Sequence, residues 1–143
     1  MLSQMAFTTH AKEGFSLEEH IAIGSRNDAI CKSLGFTGRI YVNEIENFNI
    51  IEGSIQQLEQ YYAAFKNDAR VKLTLLHFTR QVTKREFNEY QVWGYYSKGQ
   101  LNFPPQINHL TPDDFESTIP PNLSLRLRLL LEGYVNESLK TAA

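Results

Sequence analysis

The stretch Leu34–Gly53, LGFTGRIYVNEIENFNIIEG, holds two short β-prone runs, 39–43 and 48–51, around the linker Asn43-Glu44-Ile45-Glu46-Asn47. Such runs on either side of a polar linker predict a β-hairpin. Gly35, just before the first run, suits the left-handed position that closes a helix, so a helix is expected to stop there. The second run leads directly into another helix. Ser54 and Gln57 have capping-box spacing, and Ile55, Leu58, Tyr62 and Phe65 recur at helical intervals, predicting a buried face on a helix that ends near Asn67.

Working outward, Gln4–Thr9 is a β-prone run. Ser16 and Glu19 repeat the capping-box spacing at the head of a helix expected to reach Leu34. On that helix Leu17, Ile21, Gly24 and Asp28 share one stripe and Ile23, Ile30 and Leu34 another. Val71–Val82 and Phe87–Tyr95 read as further strands joined by a charged turn. The order β-α-β-β-α-β-β predicts an α/β (α+β) sandwich of ferredoxin-like arrangement, with two helices on one face of the sheet. The other face is assigned to the tail. There Thr111 and Pro112 begin a capped turn, and Ser124 precedes a helix to about Lys140 whose apolar side is Leu127, Leu130, Leu131, Tyr134 and Val135. Residues 1–96 are expected to form the sandwich and residues 97–143 a helical extension of the same domain.

Composition narrows the function. With 143 residues and 42% hydrophobic content the chain suits one modest core. A formal charge of -2 and scattered basic residues give no footprint for nucleic acid; the pair Lys84-Arg85 reads as a solvated turn. The aromatic set Phe78, Phe87, Tyr90, Trp93, Tyr95 and Tyr96 lacks the Lys/Arg-Gly-aromatic signature of an RNA-stacking sheet. No apolar run approaches the roughly 20 residues that span a bilayer, and no signal-peptide pattern opens the chain, so a cytoplasmic location without membrane contact is expected. The single cysteine, Cys31, reads as a small buried apolar residue, and the four histidines have no metal-ligand spacing. Ser54 caps a helix and has no nucleophile elbow around it, so no catalytic residue is assigned.

The residues Gly35-Phe36-Thr37-Gly38, then Phe48 and Glu52-Gly53, resemble the signature turns of the BLUF family, flavin-binding blue-light sensors. The likeness extends over nearly the whole chain, since single-domain members also add carboxy-terminal helices. It implies a flavin site at family positions filled here by Phe7, Cys31, Asn49, Tyr90 and Val92, where members carry tyrosine, asparagine, glutamine, tryptophan and methionine in turn. Asp68 and Arg70 stand where members have Asp and Arg near the flavin, while the usual histidine is Val71. The flavin-contacting set that the resemblance implies is thus Phe7, Asn27, Ile30, Cys31, Asn49, Asp68, Arg70 and Val92, with Asn27 one helical turn before Cys31.

The family's photochemistry begins with electron and proton transfer from the tyrosine and proceeds through the glutamine. Phe7 has no proton to give, and Asn49 is one methylene short. The expectation is a non-enzymatic regulatory or protein-interaction module without cofactor, its flavin pocket packed by Ile23, Ile30, Cys31 and their neighbours. The alternative is an FAD-binding photoreceptor, or one using another flavin, with an atypical pocket. An enzyme of acylphosphatase type has no arginine-bearing phosphate loop after the first strand. The leucine-rich tail, Leu123 to Leu131, carries more apolar residues than one helical stripe hides, so a homo-oligomer or a protein partner is expected at the last strand and the tail helices.

Overall fold

In the computed structural model, residues 1–14, 17–43, 46–94, 107–110 and 116–142 are described, without the side chains of residues 17, 20, 21 and 135–142. The elements are β1 (Leu2–Ala11), α1 (Leu17–Ser33), β2 (Thr37–Val42), β3 (Glu46–Ser54), α2 (Ile55–Lys66), β4 (Val71–Gln81), β5 (Tyr90–Gly94), β6 (Ile107–His109) and α3 (Leu125–Ala142). The sheet order is β4-β1-β3-β2-β5-β6. Pairing is antiparallel from β4 to β2, whereas β5 runs parallel to β2 and β6 parallel to β5. The α+β, ferredoxin-like expectation is therefore met.

The hairpin is held by its own signature residues. Thr37 pairs with Glu52 in the β2–β3 ladder, and the Thr37 hydroxyl donates to Glu52 Oε1 at 2.8 Å. Gly38 has φ +148°, and a Cβ there would lie 2.0 Å from the carbonyl oxygen of Ile50, so no side chain fits. Gly35 closes α1 at φ +73°. The Ser54 hydroxyl accepts the Gln57 amide at 3.3 Å, the cap that the spacing predicts. The Ser16 cap, the turn at Thr111 and Pro112, and Tyr95 and Tyr96 lie outside the described residues.

Period-two alternation divides the core between the two sheet faces. One face carries Met5, Phe7, Ile40, Val42, Ile51, Tyr90 and Val92 under α1 and α2. The other carries Ala6, Tyr41, Phe48, Ile50 and Phe87 under Leu127 and Leu131 of α3. The tail helix thus covers the second face, as its pattern predicts, with Leu130 and Tyr134 at the margin of that core. Glu86 ties the start of this helix to the sheet: its carboxylate accepts the Ser124 amide at 3.0 Å and the guanidinium of Arg80 at 2.9 Å.

Three expectations need correction. A sixth strand, β6, follows β5, and β5 begins at Tyr90 rather than Phe87, because Phe87 turns into the α3-side core. On α2 the buried stripe is Leu58, Tyr61 and Phe65; Tyr62 lies at its edge. Lys84 and Arg85 are exposed in the segment between β4 and β5, as expected of a solvated turn, and Arg85 Nη1 also donates to the Thr37 hydroxyl and to the Glu52 carbonyl. Finally, Ile30 is 41% exposed rather than packed inside.

Candidate functional site

The α1/α2 face of the sheet holds the family positions, and the ladder brings them together. Phe7 on β1 stands opposite Asn49 on β3, and Ile40 on β2 pairs with both Asn49 and Val92 of β5. Cys31, from the last turn of α1, is fully buried in the same cluster. Asn49 uses its amide on backbone, donating to the carbonyls of Phe7 at 3.3 Å and Asn47 at 3.4 Å.

Above this floor, cavities between the helices and the sheet include an outer and an inner one. The outer one is an open cleft of about 300 Å³ between α1 and α2, walled by Ile23, Ile30, Leu34 and Ala64, with Arg26, Gln57, Gln60, Asp68 and Arg70 as its polar lining. Its volume is at the lower end of the range for small-molecule sites. The inner one, bordered by Asn49, Tyr90 and Val92, has a volume of only about 10 Å³, about the space one water needs. Asn27, Tyr61 and Phe65 border both.

The sequence-derived set is therefore split. Ile30, Asp68 and Arg70 belong to the outer cleft, Asn49 and Val92 to the inner void, and Asn27 to both. Phe7 and Cys31 are packed in the core beneath. Asp68 and Arg70 form a two-point pair, with Nε and Nη2 of Arg70 donating to the carboxylate at 2.9 and 2.6 Å. The Arg70 hydrogen bond holds the Asp68 carboxyl down at about 2. Both are already engaged with one another at the mouth of the cleft.

Tyr61 is the residue that sequence reasoning missed. Its ring meets Phe7, Phe36 and Phe65 in edge-on contacts with centroids 6.4, 5.8 and 5.0 Å away. Cys31 and Tyr90 are its electrostatic neighbours. Burial pushes Tyr61, Tyr90 and Cys31 all above their ordinary values, so each is a neutral, protonated group at neutral pH. The signal was present in the spacing, because Leu58, Tyr61 and Phe65 follow the three-then-four step of one helical face. Tyr61 and Phe65, rather than Ile23 and Ile30, border the space next to the sheet. The two isoleucines wall the open cleft because α2 faces them with Gln57, Gln60 and Ala64, side chains too polar or too small to close it.

These residues do not fit an isoalloxazine reaching the sheet. The void bordered by Asn49 and Val92 takes no more than a water, so a ring reaching that floor would have to displace side chains that line it.

The family model for sensors of blue light using FAD matches residues 2–93. The chain belongs to the BLUF family. Its fold is similar to that of Klebsiella pneumoniae BlrP1 in a manganese/cyclic-diGMP complex, with TM-score 0.73, 17% identity, and 96% of this chain covered. That alignment spans 33% of BlrP1, so the chain is about a third of its length. It also resembles the photo-activated state of BlsA, with TM-score 0.63, 14% identity, and coverage of 93% of this chain and 94% of BlsA. A third similar structure is the dark state of the BLUF protein BlrB, with TM-score 0.58, 17% identity, and coverage of 67% and 73%. No curated protein matches. Among the described residues of this BLUF chain, no helix is long and apolar enough to cross a membrane.

Proposed function

We propose that this BLUF chain is a non-enzymatic regulatory or protein-interaction module that has lost flavin photochemistry. The observation that carries the reading is the constitution of the inner site: Phe7 opposite Asn49, with Cys31 buried in the same core. Phenylalanine offers neither an ionisable proton nor a hydroxyl to bond the asparagine amide. That amide is committed to the Phe7 and Asn47 carbonyls. A proton-coupled relay between positions 7 and 49 therefore has no carrier. Family membership supplies the sensory frame and no chemistry by itself.

The output surface in this reading is α3. Leu127 and Leu131 anchor it to the sheet, leaving Leu125 and Leu129, one helical turn apart, 69% and 59% exposed. Such a pair on an otherwise anchored helix suits a second subunit or a partner protein. Residues 97–143 then act as the transmitting extension of the sandwich formed by residues 1–96.

The test is illumination. Purified protein mixed with excess FAD is exposed to blue light, and the visible absorption band is followed. No reversible red shift is expected. A red shift that decays in the dark would restore the photoreceptor reading, in which the 300 Å³ cleft, Asn27, Asp68 and Arg70 hold the cofactor.

A further inference from the structure

Tyr61 belongs to α2 and lines the space between the helices, its ring set among Phe7, Phe36 and Phe65 with centroids 6.4, 5.8 and 5.0 Å away. At 8% exposure it is part of the core, yet it borders both the open cleft and the closed void. Asn27 and Phe65 share that position, and of the three Tyr61 carries the largest side chain between the cleft and the void bordered by Asn49 and Val92.

We infer that Tyr61 is the specificity-determining residue of the inter-helix pocket: it shuts the deep half and thereby excludes the fused rings of a flavin while leaving a shallow cleft. This rests on the reading of the chain as one without bound flavin and supplies its steric cause. The exclusion is a matter of space first. The rings of Phe7, Phe36 and Phe65 hold it in place, so that turning it aside costs aromatic contacts in a buried site. The residues at positions 7, 31 and 49 set which bonds a ring could make; Tyr61 sets whether a ring arrives.

The experiment compares wild-type protein with Tyr61→Ala, Tyr61→Leu and Tyr61→Phe, using riboflavin in the dark and the quenching of its fluorescence. Tyr61→Ala is expected to bind riboflavin at least about tenfold more tightly than wild type, with Tyr61→Leu between them and Tyr61→Phe unchanged, because the last keeps the ring. Benzene provides a readout that involves no flavin: it should raise the melting temperature of Tyr61→Ala and leave wild type unmoved, as an engineered apolar cavity does. If Tyr61→Ala does not fold, Tyr61→Leu carries the same comparison. A folded small variant that binds riboflavin no better than wild type overturns the inference and leaves the proposed function standing, whereas wild type that binds flavin and shows a reversible red shift under blue light overturns both.

Discussion

Asn49 donates through Nδ2 to the backbone carbonyl of Phe7, 3.3 Å away, across the β1–β3 ladder where the two residues pair. The bond spends a buried side-chain amide on the sheet instead of on a ligand. It follows that restoring glutamine here is not a neutral change. Asn49→Gln adds a methylene beside a void of about 10 Å³, and overpacking of this kind costs about 1–3 kcal/mol. A lowered urea midpoint with an unchanged slope is the expected result; equal or greater stability would mean that the floor is looser than described.

Gly38 meets the Ile50 carbonyl so closely that a Cβ would sit 2.0 Å from its oxygen. The clash is with backbone in the middle of the sheet, where nothing flexible can yield. Gly38→Ala is expected to destabilise the fold by about 4 kcal/mol or more, or to abolish it, as measured by denaturant unfolding. The change of Gly133 to alanine, where a Cβ meets nothing within 4 Å, is the matched control and should be tolerated.

Glu52 is completely buried and accepts four hydrogen bonds, from the Gln4 side chain, the Thr37 hydroxyl and the amides of Glu86 and Phe87. The Thr37 hydroxyl and the two amides would lose their acceptor in Glu52→Ala, at a cost of about 1–3 kcal/mol for each left without water, while Gln4 Nε2 keeps Glu86. The expected loss is about 3 kcal/mol or more. Glu52→Gln, which keeps one acceptor oxygen, should lose less; the reverse ranking would show that the network is not what holds the hairpin to the 86–87 loop.

Alkali should unfold the chain through the Tyr61 cluster. Cys31, Tyr61 and Tyr90 are raised above their ordinary values of 9.0, 10.0 and 10.0 by burial, and burial takes Tyr41 to about 12. A folded-state value above the unfolded one means that the stabilisation is present in full below the ordinary value and is lost as pH rises past it. Stability should therefore hold at neutral pH and fall progressively from about pH 9 upward. In Tyr61→Phe, which removes one of these groups, the decline should be shallower; an identical profile would place the alkaline transition elsewhere.

The exposed Leu125 and Leu129 bear on assembly. Self-association at tens of micromolar is expected by light scattering, and Leu129→Asp should abolish it while changing unfolding stability by no more than about 0.5 kcal/mol, the usual effect of an exposed position. A wild-type monomer, together with unchanged partner binding in Leu129→Asp, would remove α3 from the interaction surface.

What the sequence made legible was local. The Gly35 helix stop, the Ser54 cap and the β2–β3 hairpin each depend on residues close in the chain, and the structure forms all three. The α3 stripe at Leu127 and Leu131 was readable for the same reason, since it follows one helical period. Strand β6 was not, because three residues pairing in parallel with β5 leave no alternation to detect. The site was legible as positions but not as volumes. Phe7, Asn49 and Val92 do come together, but Tyr61 also borders the space above them, and adjacent tyrosines at 61 and 62 gave the helix two nearly equal choices of inward face. Ile30 shows the complement: an apolar residue on a good stripe stays 41% exposed because the helix opposite presents glutamines to it.

The most direct measurement is the flavin content of wild-type protein purified from cells supplied with riboflavin, followed by equilibrium dialysis against FAD in the dark. Colourless protein that retains no FAD through dialysis is the result expected of a pocket closed by Tyr61 over Phe7, Cys31 and Asn49. Yellow protein carrying stoichiometric FAD would contradict that closure and return this BLUF chain to the flavin-binding members of its family.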